Sequence, residues 1–369
     1  MFDLSKNYII VSATALASGG ALTILKQFIK HASQNSNDYI MFVSAGLELP
    51  VCDNIIYIEN TPKGWLKRIY WDWFGCRKFI SEHKINVKKV ISLQNSSLNV
   101  PYEQIIYLHQ PIPFSKVDSF LKNITSDNVK LFLYKKFYSY FIFKYVNANT
   151  TIVVQTNWMK KGVLEQCDKI STERVLVIKP DIKAFNNTNF DVDIDMDVSA
   201  KTLLYPATPL TYKNHLVILK ALVILKKKYF IDDLKFQVTF EKNRYKNFDK
   251  FVQLNNLSKN VDYLGVLSYS NLQKKYMAAS LIVFPSYIES YGLPLIEAAS
   301  LGKKIISSDL PYARDVLKDY SGVDFVIYNN EDGWAKALFN VLNGNSKLNF
   351  RPYEKDSRSS WPQFFSILK

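Results

Sequence analysis

The chain has 369 residues, of which 48% are hydrophobic and 22% charged; this length suits two domains, and the composition excludes a disordered chain. Its three cysteines, Cys52, Cys76 and Cys167, form no CxxC pair, so we expect a reducing, cytosolic setting without a disulfide framework or zinc site. The net charge of +14 is compatible with nucleic acid, anionic lipid or phosphorylated ligands as partners.

In the first half, short β-branched runs alternate with longer amphipathic ones. The first apolar run, YIIVSAT (8–14), follows no basic signal-peptide start and is too short to cross a membrane, so we interpret it as a buried strand. Gly19-Gly20 and residues 21–33 predict a loop followed by a helix. Further strands are predicted at 39–45, 54–59, 89–94, 104–109 and 151–156. The alternation is typical of a parallel sheet with helical crossovers.

A second series of the same kind follows an interruption near residues 179–200. It predicts a helix over 215–229 and strands at 202–207, 234–240, 261–265, 281–286, 303–308 and 324–328. We therefore expect an α/β protein with two Rossmann-like, doubly wound domains, at residues 1–180 and 181–350. The acidic stretch DVDIDMDV (191–198) falls in the predicted linker, where a solvated edge is favoured over a metal-binding DxD motif.

The segment at 281–317 carries the most chemical information. A buried strand ends at Pro285, a loop containing Glu289 follows, and Pro294 opens a helix that carries Glu297 about one turn in. Gly292 permits close approach of the backbone to a ligand, and the N–H groups and dipole of the helix start favour an anion such as a diphosphate. The two carboxylates are suited to accept hydrogen bonds from sugar and ribose hydroxyls.

The motif ESYGLPLIEA (289–298), with its Glu-x7-Glu spacing, resembles the donor site of glycosyltransferase family 4, the retaining enzymes of GT-B fold. The resemblance implies that Glu289 touches the transferred sugar and that Glu297 binds the ribose. It also implies that Ser290 and the backbone N–H groups of Tyr291, Gly292 and Leu293 help to hold the donor. Two surface glutamates around an ordinary turn are the alternative interpretation.

The stretch YPATPLTYKNH (205–215) resembles the first strand and loop of the family's second domain, in which a lysine meets the donor diphosphate. Lys213 matches that lysine, and its charge would stabilise the departing nucleotide. An arginine that the family often carries a few residues earlier has no counterpart in Ala207-Thr208-Pro209, which leaves Lys213 as the cation we assign. A lysine in solvent before a helix is the alternative.

Two features of the first half resemble the family more weakly. SGGA (18–21) is similar to a first-domain glycine loop, which implies that Gly19 and Gly20 bring N–H groups towards the diphosphate or the acceptor. The spacing is not GxGxxG, which argues against a dinucleotide cofactor. His109 ends a predicted strand, and a similar histidine in the family contacts the donor sugar; a core histidine is the alternative.

The last residues, SWPQFFSIL (360–368), resemble the helix that crosses back onto the first domain in GT-B enzymes. Residues 351–369 are assigned to this segment, and the resemblance implies two domains that face a cleft. The apolar residues that are spaced for one buried helical face are Trp361, Phe364, Phe365 and Leu368.

The implied reaction moves a sugar from a nucleotide diphosphate to a hydroxyl with retention, with Glu289, His109 and Lys213 as catalytic residues. The nucleotide sugar is a substrate, so no cofactor is expected, nor a metal if Lys213 and the helix start neutralise the diphosphate. YLHQPIPF (107–114) resembles enzymes that assemble O-antigen or capsule repeat units, which implies a polyprenyl-diphosphate-linked glycan acceptor.

Two stretches, at 65–79 and 130–145, mix cations with aromatic residues and suit a membrane headgroup region, or else ordinary helices with buried aromatic residues. The first interpretation predicts a peripheral protein on the cytoplasmic face of the inner membrane. A GT-B sugar-nucleotide epimerase and a non-catalytic nucleotide-sugar sensor stay open as alternatives. A nucleic-acid-binding protein is a further alternative suggested by the charge, but no recognisable motif accompanies that charge, so a nucleic-acid partner is not expected.

Overall fold

A computed structural model of the chain describes residues 2–62, 64–117, 126–181, 201–343, 349–353 and 360–368. The chain divides into two compact units, the first formed by residues 1–115, 132–181 and 358–369 and the second by residues 116–131 and 182–357. The acidic stretch at 191–198 lies outside the described residues.

In the described part of the first unit, seven parallel strands form one sheet in the order β3-β2-β1-β4-β5-β6-β7. The strands are β1 (Tyr8–Ala13), β2 (Asp38–Val43), β3 (Ile55–Glu59), β4 (Val87–Ser92), β5 (Gln104–Leu108), β6 (Thr151–Val154) and β7 (Val175–Val177). The helices are α1 (Gly19–Ala32), α2 (Trp65–Tyr70), α3 (Cys76–Glu82), α4 (Ser126–Phe143) and α5 (Asn157–Gln166), with a π-helical turn at Trp71–Gly75 between α2 and α3. Residues 126–131 of α4 are counted with the second unit.

In the described part of the second unit, six parallel strands form a sheet in the order β10-β9-β8-β11-β12-β13. The strands are β8 (Thr202–Tyr205), β9 (Lys235–Val238), β10 (Val261–Tyr263), β11 (Leu281–Phe284), β12 (Ile305–Ser308) and β13 (Val323–Val326). The helices are α6 (His215–Lys228), α7 (Lys246–Leu254), α8 (Tyr269–Ala278), α9 (Leu293–Ser300), α10 (Pro311–Val316) and α11 (Glu331–Asn343).

Strand order reverses in both sheets, between β1 and β4 in the first unit and between β8 and β11 in the second. Each reversal is a topological switch point, and the loops after the carboxyl ends of the two strands diverge there to leave a crevice. The central strands are buried on both faces, as their continuous apolar sequences require. The predicted class, two doubly wound parallel-sheet units, is confirmed.

A last helix, α12 (Trp361–Ser366), belongs to the first unit and packs on α1. Trp361 and Phe364 are buried and make edge-to-face ring contacts with Phe28, at centroid distances of 5.9 Å. The Trp361 indole N–H donates to Gln27 Oε1 (3.0 Å). Leu368 is also buried, so the predicted return of the chain end to the first unit is confirmed.

Candidate active site

The loops at the switch point of the second unit are tied together by Asn214. This residue adopts a left-handed backbone conformation (φ +58°) directly before α6. Its side-chain amide donates to the carbonyl oxygens of Pro285 (3.2 Å) and Tyr328 (2.8 Å), so it links the loops that follow β8, β11 and β13. The Tyr205 hydroxyl donates to the Lys213 carbonyl (2.8 Å) and fixes the same turn from below.

Lys213 and Glu289 form a salt bridge at this edge, with Nζ and Oε1 2.5 Å apart. Their side chains are 17% and 13% exposed, so the lysine is not a solvated surface residue. Burial lowers the pKa of Lys213, but the charges of Glu289 and Tyr212 and the hydrogen bond to Glu289 together outweigh it and leave the pKa above its ordinary value. The ammonium is therefore charged at neutral pH.

Gly292 precedes α9 in the left-handed conformation (φ +76°), where a Cβ would lie 3.2 Å from Leu295 Cδ1. The turn thus requires glycine, as the sequence pattern indicates. Tyr291 is buried, Ser290 is half-buried, and α9 begins at Leu293 with Pro294 in its first turn. The first backbone N–H groups of α9 have no partner within the helix, and they are suited to bind an anion.

Glu297 lies one turn into α9 and is held by a residue that sequence reasoning missed. The hydroxyl of the fully buried Tyr276, in α8, donates to Glu297 Oε2 (2.9 Å). Burial raises the pKa of Glu297, and the hydrogen bond from Tyr276 opposes that rise. Tyr276 stands at an apolar position of a helix, and the sequence gives no signal that its hydroxyl supports a carboxylate.

In the first unit, Gly19 and Gly20 begin α1; the prediction of a loop before residue 21 was wrong by these two residues. Gly19 has a left-handed backbone (φ +58°), and both glycines are exposed with open space where a Cβ would stand. Ser18 precedes them without a side-chain cap. Because α1 starts directly at the pair, the first-turn N–H groups belong to the glycines themselves.

His109 follows β5 at the carboxyl edge of the first sheet and is partly buried. Asn95 Nδ2 lies 3.1 Å from His109 Nε2, and Asn95 Oδ1 accepts from the backbone N–H groups of His109 (2.6 Å) and Gln110 (2.8 Å). Burial lowers the pKa of His109 to about 4, so the ring is neutral at physiological pH.

A buried polar network beside His109 was also missed. Gln94 Nε2 and Ser96 Oγ donate to the two carboxylate oxygens of Asp72, each at 2.8 Å, and Thr14 donates to Gln94 Oε1 (2.9 Å). Burial raises the pKa of Asp72 to about 6. Asp72 belongs to the π-helical turn, so this turn braces the loop after β4 that carries Asn95.

No helix within the described ranges is long and apolar enough to span a bilayer, and the same residues contain no group of three or more His, Cys, Asp or Glu side chains that could hold a metal ion.

Residues 188–356 match the model of the family "Glycosyl transferases group 1". The O-antigen chain mannosyltransferase RfbU of Salmonella typhimurium is 23% identical over 306 residues, which cover 81% of this chain and 78% of that protein.

Among solved structures, WaaG, a glycosyltransferase involved in lipopolysaccharide biosynthesis, superposes with a TM-score of 0.67 at 12% identity and covers 91% of this chain and 90% of its own. A glycosyltransferase from Rickettsia africae gives 0.63 at 18% identity, covering 91% and 88%. The two-sheet architecture is thus the GT-B fold, the chain carries a glycosyl transferases group 1 domain, and the protein is a glycosyltransferase.

Proposed function

We propose that this glycosyltransferase moves a hexose, with retention, from a nucleoside-diphosphate donor to a hydroxyl of a polyprenyl-diphosphate-linked glycan during O-antigen or capsule assembly. The observation that carries the proposal is the Lys213–Glu289 ion pair at the switch point that also holds the glycine-turned start of α9. Similarity to an O-antigen chain mannosyltransferase over most of both chains supports the acceptor class and makes mannose the first donor sugar to test.

The proposed donor site uses charge and hydrogen bonds already in place. Lys213 and the N–H groups at the start of α9 bind the diphosphate, and the Glu297 carboxylate accepts from the ribose hydroxyls. Glu289 accepts from a sugar hydroxyl while it keeps Lys213 in position. Gly19, Gly20 and His109 are also proposed as donor contacts, with His109 as a neutral group.

In the proposed step, the bond between the anomeric carbon and the phosphate oxygen breaks and its electron pair stays on the diphosphate. The acceptor hydroxyl oxygen bonds to the anomeric carbon on the same face, and its proton passes to the departing phosphate oxygen. Lys213 stabilises the negative charge that grows there. Positioning and charge stabilisation then supply the catalysis, without a metal ion.

The first experiment measures thermal stabilisation by a panel of UDP-, GDP- and dTDP-linked hexoses. We expect one donor class to raise the melting temperature of the wild type and to raise that of Glu297→Gln much less, because the variant lacks the carboxylate that accepts from the ribose hydroxyls. Glu331→Gln is the matched control, since Glu331, at the start of α11, forms an exposed salt bridge with Lys220 of α6. Absence of stabilisation by every nucleotide sugar would overturn the proposal.

Product analysis then separates the proposal from its alternatives. Transfer to a lipid-linked acceptor with the donor's anomeric configuration, read by NMR coupling constants, and activity that persists with EDTA are the expected results. Interconversion of the donor sugar without an acceptor would indicate an epimerase instead. Donor binding without any turnover would indicate a sensor.

We also propose that the first unit docks on an anionic membrane through an aromatic-basic face formed by α2, the π-helical turn and α4. The two segments pack together through Trp65, whose ring lies 4.8 Å from that of Tyr134, and through Lys144, whose Nζ lies 3.3 Å from the Trp73 ring centroid. Large apolar side chains remain exposed on this face, namely Trp65, Leu66, Tyr70, Phe74, Phe132, Leu133, Phe137 and Tyr140. Such a mixture suits the headgroup region.

The docking proposal is tested by co-sedimentation with vesicles. We expect binding to anionic but not zwitterionic vesicles, weakened by salt, and lost in the triple variant Leu66→Ser, Phe74→Ser and Phe137→Ser. Leu254→Ser with Phe230→Ser removes comparably exposed apolar groups from the second unit and serves as the control. Equal binding by both variants would exclude this face.

A further inference from the structure

Asn95 occupies an unusual position beside the proposed donor contact His109. It is buried, 8% exposed, and its backbone is left-handed (φ +65°), a conformation that asparagine tolerates better than most residues. Its loop is fixed on both sides, because the flanking Gln94 and Ser96 both donate to the buried Asp72. The backbone conformation of Asn95 and the anchoring of both neighbouring residues on Asp72 thus fix the position of its side chain.

The orientation of the Asn95 amide follows from its partners. Oδ1 accepts from two backbone N–H groups, those of His109 and Gln110, and these donors admit an oxygen but not an NH₂ group. Nδ2 must therefore face the imidazole, and it lies 3.1 Å from His109 Nε2. Since Nδ2 carries hydrogens alone, Nε2 must accept, and the single proton of the neutral ring must sit on Nδ1.

The other ring nitrogen has no partner of its own. His109 Nδ1 is buried and makes no hydrogen bond with any residue in the part of the chain that the structure describes. A buried N–H donor without an acceptor is costly, and such groups in native proteins call for an explanation. A ligand oxygen at Nδ1 would satisfy the donor.

We propose that Asn95 is a positioning residue that locks His109 in the Nδ1–H tautomer, so that the ring presents a fixed, neutral hydrogen-bond donor to a substrate oxygen. The lock is a property of the ligand-free protein, whereas the identity of the oxygen, a hydroxyl of the donor sugar, rests on the proposed function. The low pKa of about 4 agrees with this role, since the ring does not exchange its proton with substrate near pH 7.

The test reads the tautomer directly, by ¹⁵N NMR of imidazole-labelled protein, with the His109 signals assigned by their loss in His109→Gln. We expect a protonated Nδ1 and an unprotonated Nε2 in the wild type. In Asn95→Asp, one carboxylate oxygen still accepts the two backbone N–H groups, but the other now accepts from Nε2–H. The proton should therefore move to Nε2, and the histidine pKa should rise because a carboxylate now adjoins it.

The same variant has a kinetic signature. We expect kcat/KM to fall about tenfold or more, the worth of one hydrogen bond to the substrate, and its pH profile to gain a histidine limb. Asn99→Asp is the matched control: Asn99 Nδ2 donates to the Trp73 carbonyl, and the change should leave the His109 tautomer as it was.

A wild-type ring that is protonated at Nε2, or that exchanges between both tautomers, would overturn the proposal even if Asn95→Asp failed to fold. An unchanged tautomer in a folded Asn95→Asp would do the same. The spectra are recorded without donor or acceptor. If the glycosyl-transfer proposal fails, the NMR test of the locked tautomer therefore still stands, and only the predicted fall in kcat/KM is lost.

Discussion

At the scale of single residues, the Lys213–Glu289 pair joins two side chains that the motif comparison treats separately. Each charge is mostly removed from solvent, so removing one partner leaves the other uncompensated. The resemblance assigns Lys213 to the phosphate and Glu289 to the sugar, whereas in the structure the two side chains also hold each other in position through their salt bridge.

We therefore predict strong coupling in a double-mutant cycle. Lys213→Met and Glu289→Gln should each lower the free energy of unfolding by about 1–3 kcal/mol, and the double variant should lose less than their sum. Denaturant unfolding measures the stabilities, and initial rates should fall about 100-fold for Lys213→Met. Lys220→Met, which breaks the exposed pair with Glu331, is the control and should change stability by less than about 1 kcal/mol. Additive losses would mean that the two charges act independently.

A second prediction concerns Tyr276, which supports Glu297. Tyr276→Phe keeps the buried ring but removes the hydrogen bond that holds the Glu297 pKa down, so that pKa should rise further. We expect the nucleotide Kd to increase about tenfold, with a larger effect at lower pH, as titration calorimetry at several pH values will measure.

Tyr320→Phe is the matched control for that change, because it removes a comparable hydroxyl hydrogen bond, to the Lys303 carbonyl, from the same unit. Similar weakening by both substitutions would show that Tyr276 acts through general stability.

At the scale of elements, Gly292 sets the start of α9. Gly292→Ala places a Cβ on a left-handed residue and close to Leu295, so we expect a loss of about 1–2 kcal/mol in stability together with weaker donor binding. Gly265→Ala carries nearly the same backbone strain (φ +67°) after β10, with an uncrowded Cβ. It should lose stability alone, as thermal unfolding with and without donor will test.

The sequence predicts helices and strands well where the apolar residues of a segment follow a single pattern, either that of a helix or that of a strand. All strands expected from buried β-branched runs occur, with ends that differ by at most two residues because pairing, not composition, terminates a strand. The series was expected to end at β6, but the three-residue β7 adds an edge strand too short to show a period. The π-helical turn is set by packing, since Trp71 donates to Ser12 Oγ (3.1 Å) on β1.

The site was predictable to the extent that it is local in sequence. Glu289, Gly292 and Glu297 lie within one motif, and their turn and helix follow from proline and glycine chemistry. Tyr276 and Asn95 meet their partners across 21 and 14 residues, through packing that no spacing rule encodes. Such partners emerge only when the fold brings distant segments together.

At the scale of the whole molecule, acid stability depends on His215, which is fully buried among Tyr205, Phe240 and Phe248. Burial, followed by the nearby Lys213 charge, lowers its pKa to about 3. Between the unfolded value of about 6.5 and this folded value, the unfolded chain binds one more proton, so stability falls as the pH falls. We expect this residue to cost about 2 kcal/mol between pH 7.5 and pH 5.

The check compares denaturant unfolding of the wild type and His215→Phe at both pH values. The variant should lose less stability on acidification, by about the same 2 kcal/mol. An equal acid response in both proteins would exclude His215 as the source.

The position of α12 has a consequence for biosynthesis. A ribosome makes the first unit's sheet early, yet Trp361 and Phe364, which cover Phe28, leave the exit tunnel only after the second unit. The second unit is complete before the first can close its core, so a released chain truncated after residue 357 would hold a finished second unit and a first unit with an uncovered apolar face. Chaperones that bind exposed aromatic residues are expected to engage this chain until Trp361 and Phe364 have emerged.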